Sequence, residues 1–200
     1  MAGLEGSFVS RHFLFYLFVL AVLLRHALQF ALVRGQKKSG VSSGLASTAA
    51  LAACYIVVFA AAARSLWGRA AADIPIVLGF ALMAAFVAVR FLALVQLGRN
   101  FSYDARITDG HSLVTGGIYG VTRHPLHLSF FGEVLGMAVI SMNPLAIPVL
   151  AALLFVILHR NRMEDRMLEE RFQDQFREYR DRVPSMIPAA FLARFPARRG

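Results

Sequence analysis

Three long apolar stretches followed by two shorter ones set the plan of the chain. The first runs from about His12 to Val33, interrupted by Arg25 and His26; the second runs from Leu45 to Ala63 without a charge; the third runs from Ile74 to Leu97 with one charge, Arg90. Each approaches or exceeds the roughly 20 residues a helix needs to cross the hydrocarbon of a bilayer. The first is too long for a signal-peptide core and no small-residue cleavage pattern follows it, so it is expected to stay as a span. A polar segment from Gly98 to His124 comes next. Two runs, Pro125 to Ser141 and Pro144 to Leu158, then meet at Met142-Asn143-Pro144. Asn-Pro between apolar runs is a turn signal, which predicts a tight helical hairpin. Its arms are short for spanning, so a re-entrant hairpin stands as the alternative. The pattern therefore predicts an all-α integral membrane protein with about five transmembrane helices, the last two forming a C-terminal helical hairpin.

Beyond the hairpin, from Arg160 to Arg182, seven Arg and seven Asp/Glu interleave with Met163, Met167, Leu168, Phe172, Phe176 and Tyr179. Apolar positions three to five apart describe one helical face and the charges the other, which predicts an amphipathic helix lying on the cytoplasmic membrane surface. It should stop before Val183-Pro184. A second proline, Pro188, makes the segment from Val183 an extended strap. Three parts are expected: residues 1–97 with three spans, 98–188 with the polar loop, hairpin and amphipathic helix as a catalytic core, and 189–200 as a basic tail.

Composition agrees with membrane insertion, at 58% hydrophobic and 16% charged residues. A net charge of +9 raises the question of nucleic acid, but a basic terminus beside long apolar runs reads as a cytoplasmic membrane flank, so no nucleic-acid partner is expected. With the amino terminus outside, the cytoplasmic side collects Arg34, Lys37, Lys38, Arg99, Arg106, Arg123 and ten basic residues of the tail, against Arg11, Arg64 and Arg69 outside. Sixteen against three places the polar loop and the tail in the cytoplasm. Cys54 is the single cysteine, which excludes an internal disulfide and a thiolate metal cluster; no metal is expected. Arg90 and Glu133 each lie about eight residues, or roughly 12 Å, inside the cytoplasmic boundary. Unpaired charge at that depth is unfavourable, so the two are expected to pair between the third and fourth spans, either as structure or at a substrate entrance. Arg25 and His26 are left to snorkel or to face the bundle.

The residues from Arg90 onward carry a resemblance. Leu113-Val114-Thr115-Gly116-Gly117-Ile118-Tyr119, Arg123-His124-Pro125, the hairpin turn Asn143-Pro144, Glu164-Asp165, Leu168, Phe172, Tyr179 and Arg182-Val183-Pro184 together resemble the isoprenylcysteine carboxyl methyltransferase family. Upstream, Arg90 and Gly98-Arg99-Asn100-Phe101 resemble its eukaryotic-type members, and the likeness covers about half of the chain. It implies a membrane-embedded methyltransferase that takes S-adenosyl-L-methionine from the cytosol and methylates a lipophilic substrate arriving from the bilayer among the membrane lipids. The fold implied is all-helical. Consistently, no glycine-rich loop follows a strand pattern, as a soluble dinucleotide-type site would require. The chain departs from the family where His127 replaces a common Tyr, Ser129 a common Gly, and Asp165 the second residue of a Glu-Glu pair.

By the same resemblance, Arg160 and Asp165 correspond to the catalytic basic and acidic residues on the substrate side. Glu164 is implied for the cofactor's ammonium, and His124 and Tyr119 for its carboxylate or ribose; Gly117, Arg123, Pro125, His127, Tyr179 and Arg182 complete the cofactor-binding set. A terminal carboxylate acceptor, with a pKa of about 3.5, is already ionised at neutral pH and needs no general base. A guanidinium that grips both of its oxygens would fix the attacking atom. Three functions stay open: carboxyl or other O-methylation, N-methylation of a phospholipid headgroup or S-methylation of a thiol with His127 serving as base, and a non-enzymatic membrane scaffold. Nineteen Arg against two Lys, with abundant Ala, suggest a GC-rich bacterial genome, hence a bacterial inner membrane and a lipid, quinone-like or alkyl-chain acceptor.

Overall fold

The computed structural model describes residues 2–33, 45–67, 69, 71–98 and 113–186. Outside them lie the basic residues Arg34, Lys37, Lys38, Arg99 and Arg106 used for orientation, the motif residues Arg99-Asn100-Phe101, Pro188 and the tail 189–200.

Six helices make up the described residues: α1 (Ala2–Val33), α2 (Leu45–Leu66), α3 (Ile74–Leu97), α4 (Pro125–Ser141), α5 (Ala146–Phe172) and α6 (Asp174–Arg182), with a 3-10 turn over Gly117–Gly120. No strand occurs among these residues. Among the described residues four segments are long and apolar enough to cross a membrane, His12–Leu32, Ala46–Leu66, Ile74–Leu97 and Ala146–Phe172, and α4 is a shorter apolar helix. Leu20, Leu23, Phe30, Ile56, Val77, Val95, Ile147 and Phe155 point away from the protein. Such an apolar exterior is what lipid contact requires.

The ends of the apolar helices follow local chemistry. Asp73 caps α3, its side chain accepting from the Ile76 N–H at 3.2 Å, with Pro75 in the first turn. Between α4 and α5, Met142 adopts a left-handed conformation (φ 46°) and the Asn143 side chain accepts from the Leu145 N–H at 3.0 Å. Turn geometry thus closes the expected hairpin.

α4 is the central element. It packs most extensively on α3, and also on α2 and α5, so the contact crosses the expected division at residue 97. Close approach is possible because glycine faces glycine: a Cβ on Gly136 would meet the Gly79 carbonyl at 2.8 Å, and one on Gly79 would meet the Gly136 carbonyl at 2.7 Å. Small residues let helix backbones gain dispersion contact where lipid gives no hydrophobic incentive to associate.

Within this packing the intramembrane charges meet. The Glu133 carboxylate accepts from Arg90 Nε at 2.6 Å, as expected, and its second oxygen accepts from Arg25 Nε at 2.8 Å. Arg25 therefore faces the bundle. His26 is exposed and donates from Nδ1 to the Val22 carbonyl at 2.8 Å.

Two expectations for the polar end are corrected. The last span does not give way to a separate helix at Arg160: α5 continues for 27 residues to Phe172, about 40 Å, because no helix breaker intervenes. The break comes at Gln173 (φ 47°), and α6 then stops at Arg182 as the Val183-Pro184 pair requires. Nor does the apolar face of this segment lie on the membrane. Phe176, Tyr179 and Val183 bury against Leu113, Leu168 and Phe172, forming a small second core.

Candidate active site

Two helix segments bring the polar groups together. Pro125 opens α4 at a position where its missing N–H is harmless, which leaves His124 at the N-cap and His127 on the same side one turn on. The His124 side chain makes no cap hydrogen bond; it reaches α5 instead. On α5, Asn161, Glu164 and Asp165 share a face by their spacings of three and four.

His124 is held from both sides. Its Nε2 lies 2.9 Å from Asp165 Oδ1 and its Nδ1 3.2 Å from Glu164 Oε2. Burial disfavours the imidazolium, but the hydrogen bonds and charges of these two carboxylates outweigh it and raise the His124 pKa above the usual 6.5. His127 donates from Nδ1 to Asn161 Oδ1 at 2.6 Å, and its Nε2 faces Glu164 Oε1 at 3.7 Å. The Glu164 side chain remains 25% exposed, so the cluster has an open edge.

Arg123 and the strap hold this arrangement from behind. Arg123 Nη2 donates to Asp165 Oδ2 at 2.8 Å, and Nη1 donates to the carbonyls of Arg180, at 3.0 Å, and Val183. A guanidinium at the carbonyl end of α6 also complements the helix dipole. The Arg123 and His124 N–H groups donate to the Pro184 and Ser185 carbonyls at 2.9 and 3.3 Å. Tyr179 donates to the Tyr119 carbonyl at 2.6 Å, and burial pushes its phenol up to about 12.

The expected site residues therefore divide. His124, His127 and Glu164 converge; the buried Tyr119 hydroxyl has no hydrogen-bond partner, and burial, followed by the charges of Tyr179 and Glu164, raises its pKa. Each oxygen of Asp165 is hydrogen-bonded within the protein, one to Arg123 and one to His124. Arg123 and Tyr179 fasten α6 and the strap. Gly117 serves its turn: its φ is +58° and a Cβ there would strike the Gln96 side chain at 2.4 Å, whose Oε1 accepts from the Ile118 N–H. Arg182 is exposed and donates to the Glu178 carbonyl of its own helix, outside the cluster. Arg160 donates from Nη1 to the Ser47 and Thr48 hydroxyls of α2 at 3.0 and 2.9 Å, while its buried Nε has no partner. Asn161 and Ser185 escaped the sequence reading; the signal for Asn161 was its place three residues before Glu164 on one face.

Comparison with known proteins finds relatives for the segment that carries this arrangement. Residues 77–170 match the isoprenylcysteine carboxyl methyltransferase (ICMT) family. A protein-S-isoprenylcysteine O-methyltransferase of Saccharomyces cerevisiae is 26% identical over 87% of this chain and 79% of its own length. One of Schizosaccharomyces pombe is 33% identical over 56% of this chain and 48% of its own length, and protein-S-isoprenylcysteine O-methyltransferase B of Arabidopsis thaliana is 32% identical over 50% and 52%. The chain thus spans about half the length of these last two relatives. A solved structure of the eukaryotic intramembrane Ras methyltransferase ICMT superposes with a TM-score of 0.61 at 24% identity, covering 80% of this chain and 61% of that one, and so shares the fold. Over residues 77–170, which carry most of α3, all of α4 and most of α5, the chain thus resembles the isoprenylcysteine carboxyl methyltransferase family.

Proposed function

We propose that this protein transfers a methyl group from S-adenosyl-L-methionine to the carboxylate of a lipophilic, isoprenylcysteine-type substrate that enters from the bilayer. The observation that carries the reading is the convergence of His124, His127 and Glu164 at the polar end of the α4–α5 hairpin, together with an unpartnered, buried Tyr119 hydroxyl in the turn before α4. When bound, the cofactor supplies an electrophilic methyl on a sulfonium. The residues present suit its polar end: Glu164 offers a carboxylate to an ammonium, and the Tyr119 hydroxyl has its hydrogen bond free for a ribose or carboxylate oxygen. Asp165 and Arg123 act through His124 by holding its ring in place.

Arg160 orients the acceptor. It stands four residues before Glu164 on α5, its Nε unpaired, and the Ser47 and Thr48 hydroxyls steady the guanidinium. A carboxylate gripped there is ionised and nucleophilic without a base. In-line displacement then depends on placing the oxygen against the methyl group. His124 has both ring nitrogens against Glu164 and Asp165 and is not free to act as a base, which favours a carboxylate acceptor over a nucleophile that must first lose a proton. The excess of basic residues on one side supports a site facing the cytoplasm, and 19 Arg against 2 Lys with abundant Ala support a bacterial inner membrane.

Incubating the purified protein with methyl-labelled S-adenosylmethionine, S-farnesylcysteine and, separately, a total lipid extract tests the reading. Label in a base-labile ester is expected. Label confined to amines or thioethers, or no transfer, overturns it.

A further inference from the structure

His124, His127 and Glu164 can be read without reference to a methyl donor, as three ligand atoms from two helices lying within 4.8 Å of one another. His127 Nδ1 lies 2.6 Å from Asn161 Oδ1, to which it donates in the tautomer protonated there, and the Asn161 amide nitrogen lies 3.3 Å from Ser185 Oγ. The lone pair of His127 Nε2 then faces Glu164 Oε1, two acceptors 3.7 Å apart. On the other imidazole, Nε2 donates to Asp165, whose second oxygen is held by Arg123, and Nδ1 faces Glu164 Oε2 at 3.2 Å. Each histidine thus has its outer nitrogen engaged by a side-chain oxygen and its inner nitrogen facing the Glu164 carboxylate. That second layer is what orients imidazoles around a metal.

Distance bears on which cation fits. Tetrahedral bonds of about 2.1 Å separate ligand atoms by roughly 3.4 Å, and the His124 and His127 nitrogens stand 3.2 and 3.7 Å from Oε2 and Oε1 of Glu164. An ammonium hydrogen-bonding at about 2.8 Å separates its acceptors by roughly 4.6 Å and requires the carboxylate to withdraw. We propose that His124, His127 and Glu164 form a divalent-cation site of the zinc class, filled when the methyl donor is absent and mutually exclusive with it. Two nitrogens and a carboxylate are zinc-type donors, and the partly exposed Glu164 gives an entry path and leaves a coordination position for water. Binding releases any proton on His124 Nδ1. The exclusion, though not the metal site, rests on the functional reading above, which gives Glu164 to the donor's ammonium.

The test is calorimetric titration of Zn2+ into the full-length, chelator-treated protein in detergent at pH 8. One equivalent is expected to bind, and His127→Phe and Glu164→Gln are each expected to weaken it by at least about tenfold, the lower bound for disturbing even an outer partner of a metal ligand. His159→Ala, on the exposed side of α5, leaves it unchanged. Absence of binding, or affinity in His127→Phe within about threefold of the unmodified protein, overturns the site. If the variants do not fold, Co2+ titration of the unmodified protein decides: intense four-coordinate absorption supports the site, and a weak six-coordinate spectrum refutes it. Saturating S-adenosylhomocysteine is expected to lower zinc affinity; binding of both together refutes the exclusion. Zinc binding without any S-adenosylhomocysteine binding instead refutes the methyltransferase reading and leaves the metal site standing.

Discussion

Removing the Glu133 carboxylate should damage the protein more than removing either arginine that it binds. Glu133 is 1% exposed, between Arg25 at 8% and Arg90 at 7%, and it accepts from them at 2.8 and 2.6 Å. The three groups carry a net charge of +1. Glu133→Leu leaves two buried guanidiniums facing one another without a counterion, and stranding even one buried charge costs about 3–5 kcal/mol. Arg25→Met instead leaves the Arg90–Glu133 pair, which is neutral, so its expected cost is that of one charged hydrogen bond, about 1.5–3 kcal/mol. Adding Arg90→Met to Glu133→Leu removes one stranded charge and should restore part of the loss, a coupling of roughly 0.5–3 kcal/mol. Reversible unfolding in mixed micelles, titrated with a denaturing detergent, measures all four proteins on one scale. A Glu133→Leu loss below about 1 kcal/mol, or one no larger than that of Arg25→Met, would show that the arginines find water or headgroups and that the triad does not organise α1, α3 and α4.

Three further outcomes are expected. Tyr119→Phe weakens S-adenosylhomocysteine binding without lowering the thermal midpoint, because its hydroxyl has no protein partner, whereas Tyr179→Phe lowers stability by about 1 kcal/mol through loss of the 2.6 Å bond to the Tyr119 carbonyl; the reverse pattern refutes the assignment. Arg160→Ala loses turnover with donor affinity nearly intact and lysine restores only part of it; activity close to that of the unmodified protein at saturating donor removes Arg160 from the acceptor site. The raised pKa of His124 contributes stability that is complete below about pH 6.5 and disappears as pH rises through the folded value, so the thermal midpoint should fall over that window, and a His124→Phe variant showing the same fall would refute it.

The apolar runs were sufficient by themselves to indicate an all-helical membrane protein, because a span must satisfy its backbone internally and advertises this as about 20 apolar residues. Turn chemistry at Asn143-Pro144 and the stop at Val183-Pro184 were equally legible, since both depend on neighbouring residues alone. The pairing of Arg90 with Glu133 followed from depth and charge. Its third member did not, because Arg25 lies 108 residues from Glu133 and only the packing of α1 brings it near. The same limit applies at the polar end. The family resemblance brought out His124, Glu164 and Asp165 as a set, but a carboxylate's role depends on what reaches it first, and the fold gives both oxygens of Asp165 to Arg123 and His124. An amphipathic pattern likewise states that one face must be covered without naming the cover. Phe176 and Tyr179 would suit a lipid surface, and Leu113 and Phe172 occupy that face instead because the break at Gln173 turns α6 back onto the protein.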